Sequence, residues 1–573
     1  MKNLEISSIF RNIAKILEIK GDNPFRIRAY ERVALNLEGM TEDIIEYANQ
    51  DRLRELPGIG KDLERKIKEI IMTGHLKFYE DLKRQIPKGF LEILDIPGIG
   101  PKTAKLLLDE LKMQDVDSLE KFARSGKLLG LPNIKEKTVE NILKGIELIK
   151  KGRERMPLAK AMSASSDFIS PLEKLKEVSK ISVAGSLRRM KETVRDIDIL
   201  VISAHPEKIM EVFVRIPGVK DVLAKGQTKS SILTHEGIQV DLRAVKSRSF
   251  GAALMYFTGS KNLNIKLRQL AIKKKLKINE YGVFSVKGAR ETFVCGKTEE
   301  EIFKILGLDY IEPELREDTG EIELALAHKL PELIKFSDIK GDLHAHSTWS
   351  DGGSSILEMA NAAQKIGFSY IAVTDHSQSL KIARGLTIGQ LNKKKNEIDK
   401  LNKKLSNFRI LYGTEVDINS QGELDYKDEV LKEFDIVVAA IHSGFKQSSE
   451  QLTKRITRAC KNKYVHIIAH PTGRLWGSRD GYPLNFEKVL SVAKDTNTAL
   501  EINTFPNRLD LNDLHCRQAK EWGVKISLGT DSHTAEQLYS MHLGLSVARR
   551  GWLEKEDVLN SLSVEKLLKT IKK

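Results

Sequence analysis

The sequence predicts a multidomain chain that is part α+β and part α/β. It should have a helical N-terminal region, a mixed strand–helix middle and a C-terminal parallel barrel of about seven βα units. Three observations carry this. Leu56-Pro57-Gly58-Ile59-Gly60-Lys61 recurs as Ile96-Pro97-Gly98-Ile99-Gly100-Pro101 between short helical patterns. Asp196-Ile197-Asp198 opens an apolar strand run. From Gly341 onward, strand-length apolar runs alternate with helical patterns, and a His, Asp or Glu stands at the end of run after run.

At 573 residues the chain has room for about three to five domains of roughly 100–200 residues each. The net charge of +15 is uneven: residues 151–300 carry 29 Lys+Arg against 16 Asp+Glu, whereas residues 1–150 carry 27 against 25. A basic excess confined to one region fits a polyanionic partner. Cys295, Cys460 and Cys516 lie far apart and form no CxxC pair, which excludes a disulfide framework and points to a reducing, cytoplasmic setting. No apolar run approaches the roughly 18 residues of a membrane span. The start, Met1-Lys2-Asn3-Leu4-Glu5, has no signal-peptide pattern.

Apolar residues recur at helical spacing in Ile9, Ile13, Ile16 and Leu17 and in Ile67, Ile70 and Ile71. In the two Pro-Gly-Ile-Gly segments, Gly58, Gly60, Gly98 and Gly100 permit a tight turn before a helix. The helix start then offers unpaired N–H groups that suit a backbone phosphate, so the expected function is a sequence-independent grip on DNA. A weaker echo is Leu129-Gly130-Leu131-Pro132-Asn133-Ile134.

From about residue 180 the pattern turns to strands: 181–184, 197–202 and 239–244. Residues 263–277 read as one basic helix, and 313–338 as an acidic connection with one helical stretch. On a strand, residues i and i+2 share a face, so Asp196 and Asp198 point the same way, and Asp241 can join them from a neighbouring strand. Three such carboxylates suit two hard cations, Mg²⁺ or Mn²⁺, which can clamp both oxygens of an in-line phosphoryl transfer. Gly185 admits a triphosphate close to the backbone, and Ser186 and Arg189 can donate to its oxygens.

The C-terminal strands are expected at 341–346, 370–374, 409–413, 435–441, 465–469, 499–503 and 525–529. Nine candidate metal ligands stand at or just beyond strand ends: His344, His346, Asp351, His376, Glu415, His442, His470, Asp531 and His533. Such ends are where parallel barrels build active sites. Imidazole with carboxylate suits Mn²⁺, Zn²⁺ or Fe²⁺, and a multinuclear centre of this type suits phosphate-ester cleavage. His466 and His515 read as core residues. Arg384, Arg474 and Arg508 are candidates to hold substrate phosphate.

Two resemblances follow from these residues. The Pro-Gly-Ile-Gly segments look like helix-hairpin-helix motifs. Gly185-Ser186 through Leu200, Asp241-Leu242-Arg243, Tyr256-Phe257-Thr258-Gly259-Ser260 and Ile278-Asn279-Glu280-Tyr281 resemble the palm and thumb of family X DNA polymerases, the polymerase beta group. That resemblance implies that Asp196 and Asp198 bind both metals and that Asp241 activates a primer 3′-hydroxyl. It further implies that Tyr256, Phe257 and Gly259 border the nucleotide, that Asn264 reaches the minor groove and that Arg268 lies near the template. The N-terminal helices look like the family's lyase domain. Lys66 falls at its Schiff-base position, but Asp62 replaces a phosphate-binding lysine, so Lys66 is read first as a solvated helix lysine. The C-terminal part resembles the polymerase and histidinol phosphatase (PHP) domain, with all nine ligand positions filled. This implies three ions, with Glu415 as a bridging ligand.

Together these imply the domains 1–85 (lyase-like, helix-hairpin-helix), 86–155 (fingers, second helix-hairpin-helix), 156–255 (nucleotidyltransferase palm), 256–312 (thumb), 313–337 (linker) and 338–573 (an irregular (β/α)7 PHP barrel). The expected activity is DNA-directed synthesis on gapped or primer-template DNA from dNTPs in base-excision repair. Metal-dependent 3′-5′ trimming, and cleavage at abasic sites, would fall to the barrel of a monomeric protein. The alternatives are a template-independent nucleotidyltransferase, a polymerase whose barrel is structural, and a PHP phosphatase acting on small metabolites.

Overall fold

The computed structural model describes residues 2–572 apart from 39–43, 57, 88, 95, 97–98, 133, 141, 144, 147–154 and 289. Gly98 therefore lies outside the described residues. No helix among those described is long and apolar enough to cross a membrane.

The N-terminal region is helical. Helices Lys2–Lys20 and Pro24–Glu38 pack against each other and against Lys61–Thr73. Ile6, Phe10, Ile13 and Leu17 recur every three or four residues, so one stripe of the first helix enters a core with Tyr30, Val33, Ile67 and Ile70. A second core gathers Phe90, Ile93, Ile99, Leu107 and Leu119. Over their described residues the two hairpins are built alike. Ile59 N–H bonds the Leu56 carbonyl at 3.1 Å and Ile99 N–H the Ile96 carbonyl at 3.0 Å, and Gly60 and Gly100 then stand at the N-caps of Lys61–Thr73 and Pro101–Leu111.

Next comes a short pair, β1 (Met156–Pro157) with β3 (Thr193–Val194). Around it stands a five-stranded sheet of β2 (Val178–Val183), β4 (Asp196–Ser203), β5 (Val219–Lys225), β6 (Lys229–Thr234) and β7 (Gln239–Val245), in the order β2-β4-β7-β6-β5. Alternation along β4 buries Ile197, Ile199 and Val201 among Phe168, Met210 and Phe213 of the covering helices, and leaves Asp196 and Asp198 on the opposite face. A thumb follows, with helices Phe250–Thr258 and Lys261–Lys273 and the antiparallel strands β8 (Leu276–Asn279), β9 (Gly282–Lys287) and β10 (Arg290–Cys295). The basic helix expected to reach 277 ends at Lys273, because Lys275 turns to φ +57° and Leu276 begins β8. Residues 313–337 do not run free: Leu315, Ile322, Ala325 and Leu333 enter the thumb core beside Ile302, Phe303 and Trp552.

The C-terminal barrel has seven parallel strands in sequential order: β11 (Gly341–Ala345), β12 (Tyr370–Val373), β13 (Arg409–Asp417), β14 (Ile436–Ala440), β15 (Ile467–Ile468), β16 (Ala499–Asn503) and β17 (Ile526–Gly529). β13 runs past the expected Gly413, so Glu415 lies within the strand, whereas β15 is only two residues long. Between β11 and β17 side chains stand in for most of the ladder, with backbone bonds only at the C-terminal end. Asn560 donates to the carbonyls of Gly341 and Leu528 and accepts from Leu528 N–H, at 2.7–2.8 Å. Nearer the C-terminal face, Asp342 accepts from Thr530 N–H and hydroxyl, and Asp531 N–H bonds the His344 carbonyl at 2.8 Å. Leu343, Leu411, Val438, Ile467 and Ala499 pack with Leu559 and Leu567 of the C-terminal segment.

Candidate metal centres

In the palm, β4 and β7 run parallel with Asp198 paired to Asp241 and Asp196 to Gln239, so Asp198 and Asp241 lie side by side and Asp196 shares their face two residues along β4. Asp241 accepts from Gln239 Nε2 at 2.9 Å and has Lys229 Nζ at 3.4 Å. Burial opposes its ionisation, but the Gln239 and Ser231 hydrogen bonds and the Lys229 charge hold it below the usual carboxylate range. Burial, then the charges of Asp196 and Asp241, push Asp198 up to about 6. Negative charge is thus concentrated where a cation would relieve it. Gly185 has φ +63°, and a Cβ there would stand 2.8 Å from Asp198 Oδ2, so glycine is required twice over.

The nucleotide-side residues surround this position. Ser186 follows Gly185 in the short helix Gly185–Arg188. Arg189 gives Nε to Glu317 at 3.0 Å and a guanidinium N–H to the Thr258 carbonyl. A Cβ on Gly259 would approach the same guanidinium to 3.2 Å. Tyr256 and Phe257 meet edge to face at 5.1 Å, and Arg243 covers Phe257 at 4.4 Å. Asn264 donates to the Tyr256 carbonyl at 2.7 Å, and Arg268 is exposed one helical turn further on.

The barrel brings all nine candidates to the C-terminal ends of its strands. Glu415 is at the centre. Its carboxylate lies 2.8 Å from His376 Nδ1, 3.1 Å from His442 Nε2 and His470 Nε2, 3.5 Å from His344 Nε2 and 3.6 Å from His346 Nε2. His346 is 3.1 Å from Asp531, and Asp351 is 3.4 Å from His533 and 3.7 Å from His376. Three sets have ligand atoms mutually within 4.8 Å: His346, Asp351, His376 and His533; His344, His346 and Asp531; and His376, Glu415 and His442. Sharing of His346 and His376 makes the three sets one cluster. Among the described residues no set of this closeness forms in the palm, where the carboxylates stand further apart.

These residues fit divalent cations. Glu415 Oε2 and His376 Nδ1 are buried 2.8 Å apart, yet neither has a hydrogen-bond partner, as expected for two lone pairs aimed at a common cation. The charges are also mutually adjusted. Against burial, Glu415 and Asp417 push His442 up to about 9, and Asp351 and Asp531 do the same for His533. Burial and neighbouring cationic groups push His346 and His470 down to about 4. Against burial, the surrounding imidazoles hold Glu415 and Asp531 well below the carboxylate range.

Other expectations need correction. Lys66 is not solvated. It is buried, bonds Asp62 and the Tyr30 hydroxyl (2.7 Å), and lies 4.7 Å from the Phe78 ring centre, because position 66 falls on the packed face of its helix with Leu63, Ile67 and Ile70. Arg474 is not available to a phosphate. It spans to the palm, giving two N–H groups to Glu192 at 2.8 and 2.9 Å, and also bonds the Arg508 carbonyl. Arg384 is exposed. Of these arginines, Arg508 flanks the cluster: Nε is 3.8 Å from Asp531, and a buried Nη1 has no hydrogen-bond partner. His466 accepts from Val437 N–H, and His515 packs on Phe486; both lie outside the three sets.

Two acids went unnoticed in the sequence. Asp417 holds His442 Nδ1 at 3.1 Å, and Glu501 holds His344 Nδ1 at 2.6 Å. Each carried a signal. Asp417 is two residues past Glu415 and so shares its face, and Glu501 is a charge between apolar Leu500 and Ile502 in a strand buried throughout.

A palm with Asp198 and Asp241 in register, a thumb behind it and an imidazole-rich parallel barrel define a polymerase-type nucleotidyltransferase joined to a PHP-type metal barrel. The comparisons with known proteins match four segments of the chain and, beyond them, nearly its whole length. Residues 1–76 match a helix-hairpin-helix domain, 90–147 a SAM-like helix-hairpin-helix tandem, 253–317 the DNA polymerase beta thumb and 342–505 the PHP domain. The chain is 42% identical over 568 residues to the DNA polymerase/3′-5′ exonuclease PolX of Bacillus subtilis, covering 99% of this chain and 98% of that protein. Its barrel part is 34% identical over 232 residues to a probable phosphatase of Thermoanaerobacter, covering 38% of this chain and 89% of that protein. Rat DNA polymerase lambda is 25% identical over 344 residues, covering 55% of this chain and 56% of that protein. The chain belongs to the family X DNA polymerases that carry a C-terminal PHP domain, the PolX group.

Proposed function

We propose that the palm fills short gaps in DNA from dNTPs, in base-excision repair, and that the barrel removes 3′-terminal nucleotides or 3′-blocking groups and cleaves at abasic sites. The observation that carries this is the presence of two separate clusters of different chemistry in one chain: a carboxylate trio on the palm and a Glu415-centred imidazole cluster in the barrel. The name of the Bacillus subtilis relative pairs the same two activities.

In the palm, Asp196 and Asp198 would hold Mg²⁺ or Mn²⁺, and Asp241 would accept the proton of the primer 3′-hydroxyl. The hydrogen bond from Gln239 and the nearby Lys229 keep Asp241 ionised for that purpose. Gly185 and Ser186 would receive the triphosphate, and Tyr256 and Phe257 the sugar. Arg189 would have to leave Glu317 to reach the phosphates. In the barrel the nine ligands would hold three ions of Mn²⁺, Zn²⁺ or Fe²⁺. Bound there, such ions polarise the phosphate ester and lower the pKa of water. Arg508, beside the cluster with an unpartnered N–H, would hold the scissile phosphate. Asn264 and Arg268 would contact the primer-template. Lys66 is assigned a structural role, since its amine is caged by Asp62, Tyr30 and Phe78.

Two double variants on gapped DNA test the reading. Asp196→Ala with Asp198→Ala should abolish extension and spare 3′ degradation, and His344→Ala with His346→Ala should do the reverse. Loss of both activities in either folded variant would contradict separate centres. Faster turnover of a small phosphomonoester than of DNA ends would favour a metabolite phosphatase; the Thermoanaerobacter relative of the barrel is named a probable phosphatase.

A further inference from the structure

We propose that Glu501 is the positioning residue of the barrel's metal cluster, setting three of its ligands at once. This rests on reading the nine residues as ligands. β16 stands between β15 and β17 and is the one barrel strand that supplies none of them. What it supplies instead are Glu501 and Asn503, two residues apart and therefore on one face. Glu501 Oε1 takes His344 Nδ1 at 2.6 Å, and Oε2 takes the backbone N–H of His470 at 2.7 Å. Asn503 Nδ2 lies 3.3 Å from the same Oε2 and donates to Asp531 Oδ2 at 3.0 Å. One carboxylate thus reaches ligands on β11, beyond β15 and beyond β17.

Two features make the arrangement specific. With Nδ1 of His344 directed at Glu501, a neutral imidazole would keep its proton on Nδ1 and leave Nε2, which faces His346 Nε2, Glu415 and Asp531, as the lone-pair donor. Both oxygens of residue 501 must also accept. A glutamine could serve His344 or the His470 N–H but would set an amide N–H against the other. The space is closed as well: a Cβ on Gly529 would fall 2.1 Å from Glu501 Oε1 and 2.6 Å from His344 Cβ.

The test is metal affinity and geometry in the full-length protein. Wild type, Glu501→Gln, Gly529→Ala and His344→Ala are stripped with chelator and titrated with Mn²⁺ by calorimetry, and their Co²⁺-loaded absorption spectra are compared. Primer extension on gapped DNA reports that the palm stays folded. Glu501→Gln and Gly529→Ala should weaken Mn²⁺ binding at the barrel by about 10–100-fold. Both should also alter the Co²⁺ spectrum and leave extension unchanged. Wild-type affinity and an unaltered spectrum in Glu501→Gln, with clear loss in His344→Ala, would overturn the inference. Unchanged binding in His344→Ala itself would instead overturn the ligand reading on which it stands. Should Glu501→Gln fail to fold, Glu501→Asp, which keeps the charge but shortens the reach to His344 Nδ1 and the His470 N–H, decides by the same measures.

Discussion

Arg474 of the barrel and Glu192 of the palm face each other with two parallel hydrogen bonds of 2.8 and 2.9 Å, both side chains largely withdrawn from water. In sequence each lies near a residue of one of the two centres. Arg474 is four residues past His470, and Glu192 is four before Asp196. Arg550 adds a second tie, bonding the Arg189 carbonyl at 2.8 Å and Glu317 at 3.0 Å. Breaking a buried pair by removing one partner costs about 3–5 kcal/mol, because the other charge is stranded. Arg474→Ala should therefore loosen the docking of barrel on palm. Hydrogen exchange at residues 186–192 and 505–511 should rise by an order of magnitude or more. The charge-swapped pair Glu192→Arg with Arg474→Glu should restore part of the protection.

The seam between β11 and β17 depends on Asn560. Asn560→Ala leaves the Gly341 and Leu528 carbonyls and the Leu528 N–H without their partner. Each buried unpaired group costs about 1–3 kcal/mol, so a total loss of about 3 kcal/mol or more is expected. For a unit of this size that lowers the barrel's melting temperature by about 6–12 °C. Calorimetry should assign the shift to the barrel transition and leave the palm and N-terminal transitions in place.

Glu299 sits between Arg188 of the palm and Arg316 beyond the thumb, at 2.6–3.2 Å from both, and Tyr310 donates to it at 3.0 Å. Burial would raise its pKa, but the two guanidinium groups outweigh burial and lower it from 4.5 to about 2. A carboxylate depressed in the folded state contributes stability that is present above its unfolded value and lost as pH falls through the folded one. The contribution should thus be complete above about pH 4.5 and vanish by about pH 2. It is worth about 3 kcal/mol at 1.36 kcal/mol per pKa unit. Denaturant titrations of wild type and Glu299→Gln should show a stability gap that is constant near neutrality and narrows through this window. A gap independent of pH would contradict the assignment.

What the sequence made legible was whatever repeats with a short period. Strand alternation places Asp196 beside Asp198, and strand-then-helix alternation places the nine barrel candidates at one end of a parallel sheet, eight of them in the three close sets and His470 3.1 Å from Glu415. What it hid depends on neighbours distant in the chain. Glu501 matters because β16 lies between β15 and β17, and Arg474 turned out to face another domain rather than a substrate. Lys66 looked like a solvated helix lysine, because a lysine pattern does not reveal that Tyr30 and Phe78, from other helices, close over it. The basic helix stopped at Lys273 rather than 277 through a single residue, Lys275, taking positive φ in a run of lysines that offers no glycine or proline to announce it.

The hairpin glycines give a prediction that follows from what is absent around them. Gly60 and Gly100 have φ of −91° and −84°, values open to any residue, and a Cβ at either would meet no atom of the described residues within 4 Å. None of the described residues therefore demands glycine at these positions. Both precede helices whose first N–H groups receive no side-chain cap, which is the arrangement that admits a phosphate against bare backbone. Gly60→Val with Gly100→Val should leave the fold and melting temperature almost unchanged while weakening binding to gapped DNA by about tenfold or more. Because the contacts are to backbone phosphate, the loss should be the same for every sequence tested. If weakening came with a comparable loss of stability, the glycines would be serving the fold rather than the DNA.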